Sequence, residues 1–179
     1  MISTLLRSLR VVWMAFTHPR IAPLELARID FVCTLDDLDV NLHMNNARYL
    51  VIMDHGRWDY TFRSGLGRLV LTERYMPIIG SAMIRFRRSL TLFDRFTLTT
   101  RLMGWDDKWS YIEHRIAKGE DVYCVGIMKT LFKDRHGPIP SATLAAKIGH
   151  TGASPALPDW VLEWQAAEAK QFQKPGVPT

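Results

Sequence analysis

Residues 46–65, NARYLVIMDHGRWDYTFRSG, constrain this chain more than any other stretch. Asn45 or Asn46 can cap a helix start, and Gly65 can end one. Between them, Tyr49 to Met53 are five consecutive uncharged, mostly apolar residues. A surface helix would interrupt such a run with polar positions, so the pattern predicts one long helix buried on most of its circumference. Such a helix needs a surface wrapped around it, and the residues that follow supply one. RYMPIIGSAMIRFRRSLTL, DRFTLTTRLMGW, KWSYIEHRIA and DVYCVGIMKTLFKD read as four successive strands. In the second, Phe96, Leu98 and Leu102 alternate with Thr97, Thr99 and Arg101, the period of a half-covered strand. GWDDKW and AKGED are polar separators short enough for hairpins. Val122, Tyr123, Cys124, Val125 and Ile127 are apolar at consecutive positions, which predicts a central strand covered on both faces. Upstream, LELARIDFVCTL (residues 24–35) reads as a further strand. One helix against an antiparallel sheet is an α+β arrangement, and its open sheet edge suggests pairing with a second copy.

The two ends are helical. MISTLLRSLRVVWMAF carries Arg7 and Arg10 and no acid, and Leu5, Leu9, Val12, Trp13 and Phe16 follow helical spacing. Its apolar run VVWMAF is too short to cross a membrane or to serve as a secretory signal. Two readings of residues 1–18 stand: docking onto the domain or a sister subunit, and peripheral contact with an anionic membrane surface. At the other end, HGPIPSATLAAKIG holds a short helix, PDWVLEWQAAEAKQF a final one, and KPGVPT reads as frayed. The expected organisation is an amphipathic helix at 1–20, one domain at 24–140 and a helical extension at 141–179.

With 23 basic and 18 acidic residues, the net charge of +5 is modest. With no recognisable reading motif, nucleic-acid binding is not expected. Cys33 and Cys124 lie far apart and form no C-x-x-C pair, which suggests a reducing, cytoplasmic setting without a disulfide framework. Besides His43, the chain's histidines (18, 55, 114, 136 and 150) show no metal-ligand spacing, and no metal is expected.

Against this background DVNLHMNNARYL, residues 39–50, stands out. Asp39, Asn41, His43, Asn45 and Asn46 are concentrated at the entrance of the predicted helix. As local structure they can close an Asx-turn and cap the helix. As chemistry they place an acid beside unpaired backbone donors at a helix start, where negative charge is favoured.

The stretch DLDVNLHMNNARYL, followed by Asp54 and Arg57, resembles the hotdog-fold acyl thioesterases of the 4-hydroxybenzoyl-CoA and acyl-ACP types. The resemblance covers about residues 24–135. It implies a hotdog fold, a sheet of about five strands around one central helix, working as a homodimer or homotetramer. It implies hydrolysis of an acyl-CoA or acyl-ACP thioester, with no cofactor beyond the CoA or phosphopantetheine of the substrate. Asp39 would act as general base or as nucleophile, with Asn41 and His43 in support. The backbone N–H groups of Asn46 and Ala47 would hold the oxyanion. Tyr49, Leu50 and Met53 would line the acyl slot, and the run Arg85, Arg87, Arg88 would meet phosphates. Asp54 and Arg57 read as an i, i+3 pair on the helix. The further carboxylate that acyl-ACP relatives carry on the strand after the helix falls near Ser89 here. That departure keeps open a non-catalytic module that binds acyl thioesters or associates with a membrane.

Overall fold

The structure of the chain, a computed structural model, describes residues 2–171. In order it contains α1 (Ile2–Thr17), β1 (Ala27–Val32), α2 (Asn46–Arg63), α3 (Leu66–Thr72), β2 (Met76–Phe86), β3 (Arg95–Trp105), β4 (Ser110–Lys118), β5 (Asp121–Asp134), β6 (Gly137–Pro138), α4 (Ser141–Lys147) and α5 (Asp159–Ala169). The four strands read after the long helix are β2 to β5, and the upstream one is β1. The short α3 and the two-residue β6 carry too little periodicity to be read in advance. The KPGVPT end lies outside the described residues.

The sheet is antiparallel throughout, in the order β1-β3-β4-β5-β2, with β6 on the end of β5. Strands β3, β4 and β5 follow one another through short turns, whereas the long α2 separates β1 from β2. That separation sends β2 to the far edge, where it pairs with β5 on one side. Met76, Ile79 and Phe86 are among the exposed apolar residues of this edge strand.

Helix α2 lies on one face of the sheet. Ile52 and Met53 join Ile29, Phe31, Phe96, Leu98, Ile116 and Met128 in the main core. Two glycines permit the close approach. A Cβ on Gly56 would stand 2.5 Å from Leu98 Cδ2, and one on Gly126 would stand 2.6 Å from Met53 Sδ. The opposite face is covered by α5, whose Val161 packs with Tyr111 and Ile127. This explains the unbroken apolar run in β5. Ile127 and Met128 are adjacent and point to opposite faces, yet each is buried against a different helix layer.

Burial of α2 is less complete than its composition suggests. Leu50, Asp54 and Trp58, four residues apart, form an exposed stripe along it. Helix α1 docks on the domain, burying Val11, Met14 and Ala15, in keeping with the docking reading of the N-terminal segment. Cys33 and Cys124 are both buried and free.

Candidate active site at the entrance of the central helix

Residues 37–46 form a tight loop between β1 and α2. The Asp39 N–H donates to His43 O at 2.9 Å, and Leu42 N–H donates to Asp39 O at 3.0 Å. Isolated bridges join Leu38 to Met44 and His43 to Thr91. Leu42 adopts a left-handed φ of 59°, costly for a branched side chain and supported here by the turn. The Asn41 N–H donates to Asp39 Oδ1 at 2.8 Å, so Asp39 does close an Asx-turn. Asp39 is half-buried, and its Oδ2 takes no partner among the described residues. The side chains of Asn41 and His43 are exposed on the same loop.

At the helix start, Asn45 is the N-cap, and its side chain accepts the Ala47 N–H at 2.9 Å. The Arg48 N–H goes to Asn45 O at 2.8 Å. The expectation of an unpaired Ala47 donor therefore does not hold: the cap already occupies it. Of the first-turn amides, that of Asn46 is left without a partner among the described residues.

The acid that organises this loop is Asp37, two residues before Asp39 and fully buried. Its carboxylate receives Arg7 Nη1 and Nη2, each at 2.7 Å, Arg48 Nε at 3.2 Å, and the Thr34 N–H at 2.8 Å. Burial raises its pKa, but the bonds from Arg7 and Thr34 outweigh that and hold it below the usual carboxylate value. Asp37 thus ties α1 to the start of α2. The Thr-x-x-Asp spacing of Thr34 and Asp37, a capping signature, was the one local signal for it. Of its two arginine partners, Arg7 lies 30 residues away in sequence and Arg48 lies 11.

The residues expected to line an acyl slot divide. Tyr49 and Met53 belong to the core, and Tyr49 Oη accepts the Leu90 N–H at 3.1 Å. Burial raises the Tyr49 pKa, which keeps the phenol neutral. These two side chains are therefore structural, a correction to the expected lining. Leu50, by contrast, lies on the open stripe. Arg87 and Arg88 are exposed beyond β2, and Arg88 Nη1 pairs with Asp121 at 2.9 Å. Ser89 is exposed nearby.

The apolar space lies further along α2. A cavity of about 510 Å³ is bounded by Asp54, Arg57, Trp58, Thr61 and Phe62 on the helix side, with Pro77, Ile78, Ile79 and Phe132 on the sheet. At about 1.5 Å per residue, its walls begin about 12 Å from Asn46 and extend to about 24 Å. Arg57 pairs with Asp54, as the three-residue spacing predicted. Only half of the pair is at the surface, however: Asp54 is exposed, but Arg57 is buried, its Nη1 has no partner among the described residues, and burial pulls its pKa down to about 10. Below it His114 is buried, with Nδ1 2.9 Å from Thr100 Oγ1 and Nε2 unpartnered. Among the described residues no group of histidines, cysteines or carboxylates is arranged to hold a metal ion.

Residues 33–165 match the model of the thioesterase-like superfamily. The chain is 34% identical to Protein THEM6 of Xenopus laevis over 130 residues, 72% of this chain and 61% of that one. It is 32% identical to the long-chain acyl-CoA thioesterase FadM of Escherichia coli over 71 residues, 40% of this chain and 54% of that one. The chain spans 44% to 61% of the length of the THEM6 proteins it matches. Among solved structures, the probable thioesterase YbaW of Escherichia coli superposes with a TM-score of 0.63 at 21% identity, covering 68% of this chain and 94% of that one. The Staphylococcus aureus protein SAV2348, solved with CoA, gives 0.56 at 20% identity, covering 89% and 93%. Likeness at these identities speaks for a shared fold.

Proposed function

The chain belongs to the thioesterase-like superfamily, and from that membership we propose that it hydrolyses an acyl-CoA or acyl-ACP thioester to the free acid and thiol. The observation that carries the proposal is the state of Asp39. One carboxylate oxygen is fixed by the Asn41 amide, and the other has no partner among the described residues, in the loop that leads into α2. Asp39 either takes a proton from the attacking water or attacks the carbonyl itself, giving an anhydride that water then opens. In both routes the carbon–sulfur bond breaks and the thiolate leaves with a proton, for which His43 is the nearest candidate in the loop. The Asn46 amide at the positive end of α2 supports the oxyanion. Asn41 positions the carboxylate through its backbone.

The acyl chain runs along the stripe Leu50, Asp54, Trp58 into the cavity beyond. That cavity begins about 12 Å from the helix start, so long chains reach it and short ones do not. The exposed β2 edge supports pairing with a second copy, which would cover the stripe from outside. Arg87 is available to the phosphates of the substrate's CoA or phosphopantetheine arm.

The test is thiol release across short, medium, long and aromatic acyl-CoAs. Turnover is expected for the wild type, rising with chain length, and a loss of about a hundredfold or more for a folded Asp39→Asn. Unchanged activity in that variant removes the assignment of Asp39. Tight binding without turnover by the wild type would instead mark a non-catalytic acyl-thioester-binding module.

A further inference from the structure

Helix α1 precedes the region matched by the family model, which begins at residue 33. It has two apolar sides. Val11, Met14 and Ala15 are buried against the domain, while Leu5, Leu6, Leu9, Trp13 and Phe16 remain 59% to 64% exposed. At 3.6 residues per turn these five side chains fall within an arc of about 100°, a single ridge opposite the docked face. Five large apolar side chains in one contiguous ridge are not the scattered exposure of an ordinary surface.

The charges around the ridge indicate what covers it. Helix α1 contains no acid. Arg7 is committed to Asp37, but Arg10 and Arg20 are exposed and have no carboxylate partner among the described residues. Arg20, Arg68 and Lys147 line one groove beyond the end of α2, with Glu73 as its one acid. A second copy docking through the same ridge would be two-fold symmetric and would bring these cations towards their own copies. An anionic bilayer surface complements them. With 16 residues, α1 is about 24 Å long, and its buried face is attached to the domain. No helix among the described residues is long and apolar enough to cross a membrane. The geometry is that of a helix lying in the interface, with Trp and Phe at headgroup depth.

We propose that α1 docks the protein on an anionic membrane surface, its Leu5–Leu9–Trp13–Phe16 ridge entering the headgroup region and Arg10 and Arg20 meeting lipid phosphates. The placement has a consequence for the cavity. The Phe16 ring stands 5.1 Å from that of Phe62, and Val12 and Phe62 both line the cavity. A docked bilayer therefore lies at its rim, where an amphiphile leaving the membrane can enter.

The experiment is flotation of the 179-residue protein with vesicles of phosphatidylcholine alone or with about one-third phosphatidylglycerol. It reads binding, so it stands apart from whether the chain hydrolyses thioesters. Flotation with anionic vesicles is expected, weakened by salt and by neutral lipid. Trp13→Ser with Phe16→Ser should lower partitioning by about tenfold or more while lowering the thermal melt by only a few degrees, because Trp13 is exposed and Phe16 gives up only its contact with Phe62. Arg10→Glu with Arg20→Glu, which leaves the ridge intact, should reduce binding to the neutral-lipid level. Absence of flotation by the wild type overturns the proposal. So does equal flotation of the Trp13/Phe16 variant. If that variant instead has a smaller mass by light scattering and the wild type does not float, the ridge belongs to a contact between copies.

Discussion

His55 makes the seat of α1 sensitive to acid, by an amount that follows from its surroundings. It is buried on α2, with Nε2 3.0 Å from Ser8 Oγ and Nδ1 unpartnered. Burial, followed by the charges of Arg7 and Arg48, pushes its pKa down from 6.5 to about 4. The unfolded chain gains a proton at this position as pH falls through 6.5, whereas the folded protein resists until about 4. The stability that comes from keeping His55 neutral is therefore complete above pH 6.5 and is lost progressively towards pH 4. The gap corresponds to about 3 kcal/mol in full, of which about 2 kcal/mol is gone by pH 5. Urea unfolding of the wild type and His55→Gln at about pH 7.5 and pH 5 measures it. The wild type should lose about 2 kcal/mol more than the variant across that interval. His114, also buried and held far below its usual value by burial and by Arg57, adds acid sensitivity to both proteins and cancels in the comparison. Equal losses in the two proteins would refute the assignment of a neutral, tightly enclosed His55.

Tyr49→Phe removes the acceptor of the buried Leu90 N–H and should cost about 1–3 kcal/mol by chemical denaturation. Its relative rates across the acyl-CoA panel should stay unchanged, and an altered chain-length preference would return Tyr49 to the substrate path. Burial raises the Cys33 thiol to about 11 and the Cys124 thiol to about 12. Both should therefore be silent towards a chromogenic disulfide at pH 8 in the native protein and react once it is unfolded. Rapid colour from the native protein would show that one of the sites opens.

The strands were legible because their signal is local. Phe96 and Leu98 are buried and Thr97 and Thr99 are not, as the period-two reading of DRFTLTTRLMGW requires. The helix entrance was also legible, because Asn45 and Asp39 satisfy backbone groups within two residues of themselves. The same economy hid one consequence: the side chain that marks the helix start also consumes the Ala47 amide expected for a substrate. The cavity was not legible. Nothing within one turn of Arg57 separates a solvated i, i+3 pair from a buried guanidinium with an unspent N–H. That difference depends on β2 and β5, whose Ile78 and Phe132 line the same cavity as Arg57 from positions 21 and 75 residues further on.

Asp37 and Asp39 show where that division falls. Alternation, capping and the polar run before residue 46 are properties of neighbouring residues, so the sequence by itself determined one central helix, an antiparallel sheet and a polar entrance that holds Asp39 among amides. Which acid is buried and which is free depends on Arg7, which reaches Asp37 only after α1 has packed against the domain. Burial is a sum over contacts from distant segments, and the tertiary structure alone supplies that sum. It withdraws Asp37 into the scaffold, leaves Asp39 half-open at the helix start, and turns one face of an N-terminal helix outward.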